Sequence, residues 1–155
     1  MSQTLRSPAI RRVAVLAAGA AVAATVAVAA AAPAFAAGAL SVTPNIGLAA
    51  TATVSVSGTG FTPSVNLYLA QCDITASPGT ACNQASYVVV STNASGAFGP
   101  TNLSVAKTFV GWNGQTGTNG ATVTCLGGTG HQCAVQTSNV ANGAADVSTG
   151  NLTFS

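Results

Sequence analysis

Charged side chains are nearly absent from this sequence. Of its 155 residues only 4% are charged, with four Lys or Arg against two Asp or Glu, and there is a single His. Direct binding to nucleic acid relies on many Lys and Arg side chains that neutralise phosphates. General acid–base catalysis needs titratable groups held close together, and Asp73 and Asp146 show no such spacing. The composition therefore argues against a protein that binds DNA or RNA through its own surface, and we expect no enzymatic activity.

The few positive charges are concentrated near the N-terminus. Three of the four cations lie in the first twelve residues: Arg6, Arg11 and Arg12. An Ala/Val-rich run at 13–32 follows, and then the small-residue sequence Ala34-Phe35-Ala36. This order is typical of a secretory signal, so we predict a signal peptide at residues 1–36 and a secreted mature domain at residues 37–155 with no membrane association. Retention as a membrane anchor is the alternative, because the apolar run is close to the roughly 20 residues that cross a bilayer.

Cleavage after Ala36 also changes the charge balance. The full chain has a formal net charge of +2, whereas the mature domain keeps Lys107 against Asp73 and Asp146. The mature protein is therefore slightly negative, and the electrostatic case for direct contact with DNA disappears.

The mature domain shows the period-two alternation of β-strands. In 51–57, Ala52, Val54 and Val56 alternate with Thr and Ser. Further runs of this kind, or continuous apolar ones, are Val65–Ala70, Tyr87–Val90, Leu103–Ala106, Thr122–Cys125, Ala134–Thr137 and Leu152–Phe154. Gly-, Pro- and Asn-rich segments between them predict turns, among them a long one at Gly111–Gly120. About seven or eight strands at this spacing predict an all-β fold, an antiparallel β-sandwich of immunoglobulin type.

Four cysteines in an exported chain predict disulfides. Three pairings of Cys72, Cys82, Cys125 and Cys133 are available. We favour Cys72 with Cys82 and Cys125 with Cys133, because each pair brackets a short segment with turn residues. A metal site is the alternative, but the CxxC spacing is missing and there is only one His.

A few other side chains could bear on function. Trp112 lies in the predicted Gly-rich loop, where it either stacks on a ligand or folds back over the core. Asp73 either forms a turn or orients a ligand amine, and His131 is expected to be an ordinary surface residue. The apolar run that follows Tyr87 favours a core position for this ring. Core positions are also predicted for four phenylalanines: Phe61, Phe98, Phe109 and Phe154.

An ordered set of short segments is similar to a known family. The segments are Val42-Thr-Pro44, Gln71-Cys72, Ala81-Cys82-Asn83, Thr108–Gly111, Thr122–Cys125 and the Asn142-Gly143 turn. Together, from about Leu40 to Phe154, they resemble the neocarzinostatin family, the apoproteins of the enediyne chromoprotein antibiotics. The resemblance implies an immunoglobulin-like, seven-stranded antiparallel β-sandwich with an additional β-ribbon and with the two disulfides paired as above.

The resemblance also implies a function. A cleft would hold a small hydrophobic enediyne chromophore non-covalently, and the monomeric protein would stabilise and carry it. Antibacterial and DNA-damaging activity would reside in the ligand, so that DNA is contacted only through the chromophore. The alternative is a secreted immunoglobulin-like module for adhesion or cell-surface interaction that binds no chromophore.

Six positions match cleft residues of the family. They are Gln71 and Cys72 on the floor, Cys82 opposite them, the aromatic Tyr87 and Trp112, and Ser138. This chain departs from the family pattern at Ile74, where some members have an aromatic residue, and in the plain loop at 113–120. Those departures favour the alternative without a chromophore.

Overall fold

The computed structural model describes residues 38–76, 81–114, 116–126 and 131–155. The predicted signal peptide therefore lies outside the described residues. The regular structure that is described consists of strands and one short 3₁₀ turn, which confirms the predicted all-β class. In these parts of the chain, no helix is long and apolar enough to span a bilayer.

Ten strands are described, and they form two antiparallel sheets. In chain order they are β1 (Ala39–Thr43), β2 (Thr51–Thr59), β3 (Asn66–Asp73), β4 (Ala81–Asn83), β5 (Val88–Ser91), β6 (Phe98–Ala106), β7 (Thr108–Asn113), β8 (Thr118–Thr124), β9 (Cys133–Asn139) and β10 (Ser148–Asn151). The smaller sheet has the order β1-β2-β6. The larger sheet has the order β10-β9-β3-β4-β7-β8, and β5 pairs with the N-terminal half of β3.

The core lies between the two sheets and follows from the alternation in the sequence. Val54 of β2, Leu67 of β3 and Leu103 of β6 are each fully buried, whereas the Thr and Ser residues between the buried side chains of β2 are partly or fully exposed. The four phenylalanines predicted for the core are all at most 8% exposed, which confirms their assignment. This arrangement is the predicted immunoglobulin-like sandwich.

Both predicted disulfides are present in the favoured pairing. Cys72–Cys82 joins the neighbouring strands β3 and β4, and Cys125–Cys133 joins the end of β8 to the start of β9. Each bond closes a short loop, of sequence separation 10 and 8 respectively. On a chain-entropy model such loops contribute about 2 to 3 kcal/mol each.

The prediction for the last strand was wrong. The last strand is Ser148–Asn151. Leu152 and Phe154 follow it and are buried in the core. Phe154 forms only an isolated bridge, with Leu48. Apolar alternation reports burial, and these two side chains are buried without sheet pairing. β10 has no apolar side chain, and its sequence therefore carries no such signal.

The predicted long turn at Gly111–Gly120 is in fact largely a hairpin. β7 runs to Asn113 and β8 begins at Thr118, with the turn between them. Gly111 is needed here for close packing, because a Cβ at this position would lie 2.8 Å from the Cβ of Ala81 on β4. A glycine that allows two strands to approach looks the same in the sequence as a turn glycine.

Candidate functional site

A cleft of about 940 Å³ lies on the face of the larger sheet that is turned away from the core. Its floor comes from alternate residues of the adjacent strands β3 and β9: Tyr68, Ala70, Cys72, Gln136 and Ser138. Leu67 and Leu69, which alternate with Tyr68 and Ala70 along β3, point into the core. The cleft is thus built from the second face of the same strands that build the sandwich.

Two walls flank this floor, as the order of the strands requires. On the β4 and β7 side the cleft is lined by Cys82, Gln84, Tyr87, Trp112 and Gly114. On the β9 side it is lined by residues of the turn that leads to β10: Gly143, Ala144 and Val147. Five of the six predicted site residues therefore come together here: Cys72, Cys82, Tyr87, Trp112 and Ser138.

Two tyrosines form an aromatic pair in the cleft. The ring centroids of Tyr68 and Tyr87 are 4.7 Å apart, and the ring planes are tilted by 40°. Tyr87 is 47% exposed, so the core position favoured by the apolar run is wrong: Tyr87 follows the 3₁₀ turn and precedes β5. Burial raises the pKa of Tyr87 above its ordinary value of 10.0, and the hydrogen bond to Tyr68 raises it further. The Tyr87 hydroxyl is therefore neutral at physiological pH.

Trp112 lies on strand β7 and not in a loop. It is the cross-strand partner of Cys82 on β4 and of Asn119 on β8. Cross-strand partners present their side chains on the same face, so the indole stands beside the Cys72–Cys82 disulfide. Trp112 is part-buried and lines the cleft. It is therefore available to stack on a ligand.

Gln71 was predicted to lie on the cleft floor, and the structure corrects this. Its side chain is fully buried on the core face, with Leu67 and Leu69 on the same side of β3. Its Nε2 donates to the Ala106 carbonyl oxygen at 2.6 Å, and its Oε1 accepts from the Ala106 N–H at 2.9 Å. Gln71 thus connects the larger sheet to the end of β6 and supports the floor from behind.

The prediction failed at Gln71 because it followed the family motif and not the parity of the strand. Successive side chains of a strand point to opposite faces, so adjacent residues such as Gln71 and Cys72 cannot both face the cleft. The same parity would have identified Tyr68 and Ala70, which share the face of Cys72 and were missed. The turn residues Gly143 and Val147 carry no such signal, because their placement depends on the shape of the turn.

The turn wall of the cleft is anchored by Asp146, which has a positive φ of 55°. Its Oδ1 accepts hydrogen bonds from the backbone N–H and the hydroxyl of Thr62, at 2.8 and 3.0 Å. Its Oδ2 accepts from Asn139 Nδ2 at 2.8 Å. Burial by itself raises the pKa of Asp146, but the hydrogen bonds from Asn139 and Thr62 outweigh it and leave the pKa lowered. The carboxylate therefore fixes the turn between β9 and β10 to the segment after β2.

Asp73 lies outside the cleft, on the same face of β3 as Gln71. Its buried carboxylate accepts from the backbone N–H and the hydroxyl of Thr75, at 2.9 and 2.6 Å, and pairs with His131 Nδ1. Burial raises the pKa of Asp73, yet the Thr75 hydrogen bonds and His131 together lower it. Asp73 thus forms a turn with Thr75, which is one of the two roles expected for it, and it does not line the cleft; the half-exposed His131 is its partner. Within the described ranges, no three His, Cys, Asp or Glu side chains cluster as metal ligands.

Comparison with known proteins places this cleft in context. The model of the Neocarzinostatin family matches residues 40–154. Apokedarcidin from an actinomycete is 39% identical over 86 residues, which are 56% of this chain and 74% of apokedarcidin. The structure of macromomycin superposes with a TM-score of 0.66 at 26% identity, over 76% of this chain and 99% of macromomycin. The solution structure of apokedarcidin gives a TM-score of 0.57 at 32% identity, over 77% of this chain and all of that one (100%).

Proposed function

The chain belongs to the neocarzinostatin family, and from that premise we propose that it is a secreted carrier of one small hydrophobic chromophore of the enediyne type. The family is one of chromophore-carrying apoproteins, which supports a carrier role in general. The chromophore is held non-covalently in the cleft. Its antibacterial and DNA-damaging activity resides in the ligand, and the protein itself is neither an enzyme nor a DNA-binding protein.

The cleft is the observation that carries this proposal. Its volume of about 940 Å³ falls within the range of roughly 300 to 1,000 Å³ that is usual for small-molecule sites. Trp112 and the pair Tyr68–Tyr87 supply flat π-surfaces, and the Cys72–Cys82 disulfide supplies a rigid floor. Such surfaces bind a polycyclic ligand through area burial and through stacking worth about 0.5 to 1.5 kcal/mol per ring pair.

The mechanism is sequestration. A reactive molecule in the cleft is shielded from water and nucleophiles on the side of the sheet and the two walls. Because the mature domain is slightly negative, it has no electrostatic attraction to DNA, and contact with DNA takes place through the released ligand. The carrier acts as a monomer, because a single chain supplies the floor and both walls of the cleft.

Purification from the native host tests this function directly. We expect the protein in the culture medium to carry absorbance beyond the Tyr and Trp bands, which organic extraction removes. Synthetic polycyclic aromatics should then bind the extracted protein and quench the fluorescence of Trp112, the only Trp in the chain. A protein that is isolated without chromophore and also rejects these aromatics would overturn the proposal and favour an adhesion module.

A further inference from the structure

We propose that Ser86, a buried residue that does not line the cleft, is a positioning residue for ligand binding: it fixes the 3₁₀ turn Gln84–Ser86 against β3 and thereby places the Tyr87 ring. This inference rests on the carrier function proposed above and specifies which part of the chain shapes the aromatic wall. It follows from a gap in the pairing of β3.

The strands on one side of β3 are not continuous. β4 pairs with Cys72 and Asp73, and β5 pairs with Asn66–Leu69. The chain between β4 and β5 forms the 3₁₀ turn, so Ala70 and Gln71 face a turn on this side and not a strand. A buried backbone N–H at such a gap needs a partner other than a strand, because leaving it unsatisfied costs about 1 to 3 kcal/mol.

The Ser86 hydroxyl is that partner. Its Oγ accepts from the Gln71 backbone N–H at 3.0 Å and donates to the Asn83 carbonyl oxygen at 2.8 Å. Ser86 is only 3% exposed, so water does not compete for these two bonds. One hydroxyl thus ties the last residue of the turn both to β3 and to the residue that precedes the turn.

A second set of bonds holds the beginning of the turn. Asn83 caps it, since its Oδ1 accepts from the Ala85 N–H at 3.1 Å. The Nδ2 of the same side chain donates to Gln71 Oε1 at 3.3 Å. The turn is therefore attached at both ends to a single residue of β3, Gln71.

The side chains that the turn presents to the cleft depend on these attachments. Gln84 and Tyr87 line the wall, and the Tyr87 N–H donates to the Gln84 carbonyl oxygen at 3.3 Å. The Tyr87 ring packs on Tyr68 of β3, with 4.7 Å between the ring centroids. Because Tyr87 directly follows Ser86, a turn that moves away from β3 also moves this ring away from Tyr68. A ligand would then have to order the wall on binding, at a cost in affinity.

Thr92 provides a matched control at the other end of β5. Its Oγ1 accepts from the Val65 backbone N–H at 2.9 Å and donates to the Thr62 carbonyl oxygen at 2.8 Å. Thr92 is 5% exposed and does not line the cleft. Thr92→Val therefore removes the same two kinds of hydrogen bond as Ser86→Ala, at a site that does not include Tyr87.

Two measurements on the extracted protein test the inference: the dissociation constant for 2-naphthamide by calorimetry, and the nuclear Overhauser effect between the two Tyr rings without ligand. The chain has two Tyr, so this ring–ring signal is unambiguous. We expect Ser86→Ala to weaken binding roughly three- to tenfold, about the value of one aromatic contact, and to weaken the ring–ring signal. Thr92→Val should lower the midpoint of thermal unfolding comparably but leave the affinity and the ring–ring signal unchanged.

Unchanged affinity or an unchanged ring–ring signal in Ser86→Ala would overturn the inference. Equal losses of affinity in Ser86→Ala and Thr92→Val would also overturn it, because affinity would then follow stability alone. If Ser86→Ala does not fold, Asn83→Ala loosens the other end of the same turn and takes its place, with the same expected results. If the unsubstituted protein does not bind 2-naphthamide, the carrier function fails, and this inference fails with it. A negative result confined to the variants leaves the carrier function in place.

Discussion

The two faces of the larger sheet are made by the same strands but have different chemistry. On β3, the core face carries Leu67, Leu69 and Gln71, which are fully buried. The opposite face carries Tyr68 and Ala70 and contributes to the open cleft. Among the described residues, no buried side-chain nitrogen or oxygen lacks a hydrogen-bond partner, so the polar groups of the core face are already satisfied. The core face is complete within the chain, whereas the cleft face leaves aromatic surface exposed to a further molecule.

This difference separates stability from binding within a single strand. A substitution on the core face should change the free energy of unfolding, and one on the cleft face should change ligand affinity. The four pairs of substitutions below are arranged to test that separation, from the largest expected effect to the smallest.

Two glutamines on opposite faces give the largest contrast. Gln71→Ala removes both hydrogen bonds to Ala106 and leaves a cavity, so we expect the free energy of unfolding to fall by about 2 to 4 kcal/mol. Gln136→Ala, on the cleft face, should lower it by less than about 0.5 kcal/mol, as is usual for surface positions. Urea titration of the two variants measures both values. Equal losses would contradict the separation of the two faces.

Trp112→Ala tests the cleft face itself. Loss of the indole should weaken binding of a polycyclic aromatic at least tenfold, or about 1.4 kcal/mol, because both stacking and apolar area are lost. The midpoint of thermal unfolding should change little. The matched control is Val110→Ala on the same strand, at a residue that is 55% exposed and does not line this cleft. A Trp112→Ala protein that is unfolded would show instead that the ring acts as a lid on the core.

Parity and turn geometry explain how much of this site the sequence could predict. The alternation in 51–57 and 65–70 predicted the sandwich, and a strict use of that alternation would have separated Gln71 from Cys72 and added Tyr68. The position of Trp112 on a strand could not be predicted, because Gly111 has the same appearance in a turn as in a tight strand contact. The wall at Gly143 and Val147 depends on long-range hydrogen bonds from Thr62 to Asp146, and such contacts leave no local pattern.

Lowering the pH should destabilise the fold through two carboxylates: Asp146 at the turn wall of the cleft and Asp73 on the core face of β3. The pKa values of Asp146 and Asp73 are both lowered from 3.8, so each ionised group stabilises the fold above that pH, and its contribution is lost as the pH falls through the lower, folded-state pKa. The unfolding midpoint should therefore decline below about pH 4. Asp146→Asn and Asp73→Asn should each flatten this decline in a thermal melt followed by circular dichroism.

The same two variants should differ in ligand binding. Asp146 holds the turn that lines the cleft, so Asp146→Asn should weaken the affinity for a neutral aromatic several-fold. Asp73→Asn should leave the affinity unchanged, because Asp73 faces away from the cleft. Equal effects of the two variants on affinity would mean that loss of stability alone explains the change.

The smallest effect is expected for Tyr87→Phe. The substitution keeps the ring that packs on Tyr68 at 4.7 Å and removes only the hydroxyl that bonds Tyr68. If stacking provides most of the contact, Tyr87→Phe should change the affinity for a neutral aromatic by less than about threefold. Tyr87→Ala should reduce the binding free energy by about the value of one aromatic contact, roughly 0.5 to 1.5 kcal/mol. Calorimetry of both variants with the same probe separates ring from hydroxyl. If Tyr87→Phe loses as much as Tyr87→Ala, the hydroxyl is the ligand contact, and the cleft face recognises its ligand by hydrogen bonding more than by aromatic surface.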